Sequence, residues 1–153
     1  MRNIIATSLK EINEMIEKFV QTFDEDYSAK MGCDFAANLD NNSVIWTLIY
    51  SEEGGKAFYS DFCNRYPPAK DYSFFLLSLL HEIGHLETEN EMIDDTDIRN
   101  TDLSNEEYFN LFNERLATDW AGEWIEENLI LAKQIDSEIS FLLNNFYKVA
   151  SAD

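Results

Sequence analysis

The sequence predicts a predominantly helical α+β domain with one small antiparallel sheet. Three observations carry this. Apolar residues recur at helical spacing in the first, central and last segments. A turn-rich Asp40-Asn41-Asn42-Ser43 separates two strand-like runs, the signature of a β-hairpin. No repeat, proline-rich linker or low-complexity stretch interrupts the 153 residues, so one domain over 1–153 is expected. With 45% apolar and 14% aromatic residues, the chain has enough material for a core without disulfide staples.

The first helix places Leu9, Ile12, Ile16, Phe19, Val20 and Phe23 on one face, and Ser8 with Glu11 has the form of a capping box at its start. The hairpin follows, from Cys33 to Asp40 on one arm and from Val44 to Tyr50 on the other. Val44, Ile45, Trp46, Thr47, Ile49 and Tyr50 favour a strand. Residues 54–66 form a short helix, ended by Pro67 and Pro68 because proline cannot continue one. From Tyr72 to about Glu87 runs the most apolar segment. It lacks β-branched residues before Ile83 and has Ser73 or Asp71 available as cap, which favours a buried helix. Residues 87–108 carry nine acidic side chains against one base, Arg99, and read as a solvated connection. Ser104 and Glu107 form a second capping box, opening a helix that carries Tyr108 to Glu127. An amphipathic C-terminal helix, continuous with it or closely following, completes the chain.

Thirty acidic side chains against eleven basic give a formal net charge of −19. Direct binding to nucleic acid or to an anionic membrane needs clustered Lys and Arg, so neither is expected. Cys33 and Cys63 are too few for a disulfide framework. The opening residues hold too short an apolar stretch for a signal-peptide core, and Phe74–Leu80 falls far below the roughly 18 residues of a membrane span. A cytoplasmic location is the expectation.

The chemistry concentrates at His81-Glu82-Ile83-Gly84-His85. On a helix, positions i and i+4 share a face, so both imidazoles point at one spot with Glu82 beside it. Two neutral imidazoles are good zinc ligands, and a tetrahedral ion then needs one more protein ligand and an open position for water. Zinc would bring the pKa of that water towards about 7, letting Glu82 take its proton as general base and return it to a leaving amine. These are the only two histidines in the chain. In so apolar a helix they would incur a desolvation cost of roughly 1–3 kcal/mol each if nothing bound them. With no third histidine, the third ligand is expected to be a carboxylate from another helix. Glu114 is the leading candidate, since Ala117 and Ala121 let its helix come close. Glu123 competes with it and Glu107 is weaker.

His81 to His85, followed 29 residues later by Glu114-x-x-Ala117-x-x-Trp120-Ala121, resembles the gluzincin metallopeptidases. The likeness is greatest to the ImmA/IrrE type and to the single-domain minigluzincins, over roughly residues 74–125. The resemblance implies a zincin-like fold in which a sheet edge holds a substrate strand above two zinc-binding helices. It also implies a Zn2+ cofactor held by His81, His85 and Glu114, with Glu82 as general base and a protein or peptide substrate. Gluzincins often carry an Asp four residues after the ligand Glu to orient a histidine. Here that position is Thr118, with Asp119 one further on, so the sequence leaves the orienting contact unassigned. Tyr50, Tyr59, Tyr66, Tyr72 and Tyr108 are all available to stabilise an oxyanion, and the sequence does not choose among them.

A second reading, from a different class, keeps the zinc fold without turnover. The acidic chain would then act as a decoy or interaction module, and an acidic surface suits a basic substrate segment equally well. Asp95, Asp97 and Glu106 fall at the first, third and twelfth places of an EF-hand loop. Arg99 at the fifth place, and Asn100 where glycine is required, favour an ordinary solvated loop. Trp120 and Trp124 read as core, and Cys63 as a buried free thiol rather than a zinc ligand.

Overall fold

The computed structural model describes the backbone of residues 2–152 and the side chains of residues 9–147. The apolar stripe of the first segment becomes α1 (Arg2–Gln21), which buries Ile12, Ile16, Phe19 and Val20. The helix is already running at Ser8, whose side chain lies outside the described residues, so the Ser8–Glu11 pair does not open it.

Three short strands follow: β1 (Ser28–Met31), β2 (Ala36–Asn38) and β3 (Ser43–Trp46). The expected hairpin forms, with β2 antiparallel to β3 and Ala37 opposite Val44. Its turn uses Asn42 at φ 55°, a left-handed conformation that Asn tolerates better than most side chains. β3 stops at Trp46, earlier than its β-favouring run suggests, where the Thr47 hydroxyl reaches forward to donate to the Ile49 carbonyl and accept from the Ile49 amide. The sheet differs from expectation in one respect. β1 runs parallel to β3 on its far side, giving the order β1-β3-β2 and a mixed sheet rather than an antiparallel one. Its sequence, Ser-Ala-Lys-Met, carries no strand signal, and it is recruited by pairing with β3 and by packing on α1. Trp46 ties the sheet to α1, its indole N–H donating to Asn13 Oδ1 at 2.8 Å.

α2 (Glu52–Arg65) is capped by Ser51 and ends two residues before Pro67, with Tyr66 between, as the prolines require. α3 (Phe74–Glu87) begins at Ser73, whose hydroxyl accepts from the Leu76 amide at 3.1 Å while Asp136 accepts from both Ser73 N–H and Ser73 O–H. Every residue from Phe75 to Leu86 is buried, the fate of a helix that is apolar all round.

The acidic connection is mostly exposed, as expected, but it is not a plain loop. It holds α4 (Thr96–Arg99) and α5 (Asn105–Phe109). The Ser104–Glu107 capping box is present, but it opens only the five residues of α5. The chain breaks at Asn110–Leu111 and restarts as α6 (Phe112–Glu127), so Glu114 lies in the first turn of a helix rather than in its interior. A second break at Asn128 separates α6 from α7 (Leu129–Ala152), which packs on α1.

α3 and α6 form the most extensive helix pairing among the described residues. Gly84 makes it possible: a Cβ there would lie 2.5 Å from the Ala117 carbonyl oxygen and 3.0 Å from Ala117 Cα. No described helix is long and apolar enough to cross a membrane.

Candidate metal centre

The close approach of α3 and α6 brings Glu114 against the two histidines. His81 Nε2 lies 3.0 Å from Glu114 Oε1, and His85 Nε2 lies 3.3 Å from the same oxygen and equally near Oε2. The imidazoles meet edge to face with centroids 4.7 Å apart. One donor atom from each of the three residues falls within 4.8 Å of the others. Ligands about 2.0–2.1 Å from a tetrahedral ion stand about 3.3 Å apart, so the spacing suits a shared ion. All three side chains are buried, Glu114 at 4% exposure. This group could hold a metal ion, and it is the only cluster of three or more such side chains among the described residues.

The surroundings fix the imidazoles unequally. Thr118 Oγ1 is 3.0 Å from His81 Nδ1. With Nδ1–H donated to that hydroxyl, Nε2 is the nitrogen left to face Glu114. The contact left unassigned by the sequence is therefore made by Thr118 itself. Asp119 points elsewhere and accepts from the Tyr66 hydroxyl at 2.8 Å. His85 Nδ1 is buried without any partner, so nothing in the protein saturates this imidazole except what faces its Nε2. Phe58 packs on His81 edge to face at 5.3 Å between centroids.

Charge is strongly organised here. Burial works against protonation of His81, but the hydrogen bond to Glu114 and the charges of Glu82 and Glu114 outweigh it and raise its pKa. Burial likewise opposes ionisation of Glu114, yet the two imidazoles hold its carboxyl far below the ordinary carboxylate range. Glu82 goes the other way. Burial pushes its pKa up against the pull of His81 and His85, the setting that prepares a carboxyl to take and return a proton.

Sequence reasoning missed Arg99. Its Nη2 donates to Glu114 Oε2 at 2.6 Å and its Nε to Asp95 Oδ1 at 2.8 Å. Burial disfavours its charge, but Asp95 and Glu114 more than compensate and raise its pKa. The available signal was its standing as the lone base in a long acidic stretch.

His81, Glu82, His85 and Glu114 all line a cleft of about 530 Å³. Ala36 and Ala37 of β2 also line the cleft, and among the described residues no strand pairs with the outer side of β2. Of the five tyrosines weighed from the sequence, Tyr50 and Tyr108 line it, and Tyr50 lies against the Phe74 ring at 4.5 Å. Tyr59, Tyr66 and Tyr72 commit their hydroxyls to Tyr72 and Lys70 carbonyls, to Asp119 and to the Leu129 carbonyl. The Tyr108 hydroxyl accepts from Arg99 Nη1 at 3.3 Å, leaving its own hydrogen free. Burial and the Glu114 charge push its pKa up to about 12, so it is a donor at neutral pH.

The competing carboxylates are elsewhere. Glu123 is exposed, and exposed Glu107 is engaged in its capping box. Asp95, first of the candidate calcium ligands, is paired with Arg99. Cys63 is buried and does not line the cleft. The chain matches no protein-family model, no curated protein and no solved structure.

Proposed function

We propose that this chain is a zinc-dependent metallopeptidase of gluzincin type that hydrolyses a peptide bond in a protein or peptide substrate. The observation that carries the proposal is the convergence of Glu114, from a separate helix, on the Nε2 atoms of His81 and His85, with Glu82 beside them in an open cleft. Two imidazoles and one carboxylate, without thiolate, are a donor set suited to zinc with a coordination position left open. Bound zinc supplies Lewis-acid polarisation of a carbonyl oxygen and an acidified water.

The protein's own groups do the rest. Glu82 accepts the proton of the attacking water and hands it to the departing amine, a role suited to a buried carboxyl with a raised pKa. Tyr108 donates its free hydrogen to the oxygen on which charge develops. Thr118 holds the His81 ring in the tautomer that presents Nε2. The outer edge of β2 offers unpaired backbone groups along the cleft, where an extended peptide can add as a further strand.

The test combines metal content with cleavage of a mixed peptide library read by mass spectrometry. Wild type should carry one zinc per chain and cleave, and His81→Ala should lose the metal. Glu82→Gln should keep the zinc and lose about 10²–10⁴-fold in rate. Full zinc retention by a His81→Ala, His85→Ala double variant would remove the site, and undiminished cleavage by Glu82→Gln would remove the mechanism.

A further inference from the structure

A carboxylate ligand has two oxygens, and a glutamate free to turn can give both to a metal, filling the position that a catalytic site must keep open. The two oxygens of Glu114 are differently engaged. Oε1 lies 3.0 Å from His81 Nε2 and 3.3 Å from His85 Nε2, while Oε2, also 3.3 Å from His85 Nε2, accepts from Arg99 Nη2 at 2.6 Å. We propose that Arg99 is a positioning residue that restricts Glu114 to single-oxygen ligation and so keeps one coordination position vacant for water and substrate. This rests on the metal reading above.

Arg99 is itself held from several sides. Its Nε donates to Asp95, its Nη1 to the Tyr108 hydroxyl, and its guanidinium lies 5.4 Å from the centre of the Tyr108 ring. The segment carrying it is tied down in turn by Asn113, the residue next to Glu114. Asn113 accepts from the Ile93 amide at 2.9 Å and donates to the Ile93 carbonyl at 2.7 Å and to Asp95 Oδ2 at 3.3 Å. Both ends of the support therefore start from the first turn of α6: Asn113 fixes the strap, and the strap's guanidinium fixes Glu114. Ordering an arginine costs up to about 2 kcal/mol of rotamer entropy, which a solvated loop would not spend. A planar fork reaching Asp95 and Glu114 together is a task that lysine, a single point charge, cannot reproduce.

The experiment is X-ray absorption at the zinc edge on the full chain loaded with one equivalent of zinc, with circular dichroism to check folding. In wild type the zinc should have four light-atom neighbours. In Arg99→Met, which keeps the apolar stem, it should gain one oxygen as Glu114 turns its second oxygen inward. Loss of zinc from an Arg99→Met chain that remains folded supports the proposal equally, because Glu114 then no longer presents Oε1. An unchanged four-neighbour shell in Arg99→Met overturns it. If Arg99→Met does not fold, Arg99→Lys is measured in the same way, and an unchanged shell there overturns the proposal too. Absence of zinc uptake by wild type removes the metallopeptidase reading together with this one, whereas an unchanged shell removes the role of Arg99 alone.

Discussion

Thr118 Oγ1 stands 3.0 Å from His81 Nδ1, one helical turn along α6 from Glu114. A hydroxyl occupies the place where a carboxylate would also serve, and the difference has a consequence. A neutral acceptor fixes the ring and its tautomer but adds no negative charge behind the imidazole, so His81 is oriented without being made more basic by that contact.

Removal of this contact should therefore weaken metal binding more than folding. Thr118→Val keeps the shape and deletes the acceptor, leaving His81 Nδ1–H buried and unpaired. Zinc affinity, measured by competition with a chromophoric chelator, should fall about 10–100-fold. Thr118→Ser should bind zinc close to wild type, because the hydroxyl is retained. Wild-type affinity in Thr118→Val would show that the contact orients nothing.

Gly84 is the second point of leverage. A methyl group there would meet the backbone of Ala117 at 2.5 Å from its oxygen, and backbone cannot step aside as a flexible side chain can. Gly84→Ala should force α3 and α6 apart and cost about 1–3 kcal/mol, the range for overpacking. For a chain of this length that corresponds to roughly 2–12 °C in Tm by calorimetry. Glu114 moves with α6, so zinc affinity should fall as well. An unshifted Tm would mean that the helices are not in contact at Gly84.

Legibility in the sequence followed the range of the interactions. The helix of Phe74 to Glu87, its Ser73 cap and the i, i+4 histidines depend on neighbours within one or two turns, and each is visible in the residues. Glu114 was within reach because Ala117 and Ala121 advertise a helix that can approach another. The parallel strand Ser28–Met31 was not, since its pairing depends on β3, fifteen residues away in register, and its own residues carry no strand signal. The break at Asn110–Leu111 was hidden because local propensity runs straight through it. Arg99 was set aside for a similar reason: in an acidic stretch a lone base reads as solvated, and only the fold reveals that it reaches Glu114.

The two cysteines should differ sharply in reactivity. Cys33 is exposed, whereas Cys63 is buried and burial pushes its thiol pKa up, only partly offset by the Tyr59 hydroxyl and Lys70. The nucleophile is the thiolate, so both access and ionisation protect Cys63. A brief iodoacetamide pulse at pH 8, read by peptide mass spectrometry, should label Cys33 and leave Cys63 unmodified until denaturant is added. Equal labelling of the native chain would contradict the packing of α2.

Under the proposed mechanism, Tyr108 is the residue at which catalysis and metal binding can be told apart. Its hydroxyl accepts from Arg99 and keeps a hydrogen free at the wall of the cleft, and its raised pKa, about 12, keeps that hydrogen in place through the neutral range. If it donates to the developing oxyanion, Tyr108→Phe removes that donor while the ring continues to lie against Arg99. Turnover should then fall about 10²–10³-fold, the usual effect of losing one such donor. KM should change little, because the donor acts on charge that appears only in the transition state. Zinc stoichiometry should stay at that of wild type, since the ligands and the Arg99–Glu114 ion pair are untouched. A variant that loses zinc along with activity would mean that Tyr108 supports the strap rather than the reaction, and full activity would return the oxyanion role to Tyr50 or to the backbone of β2.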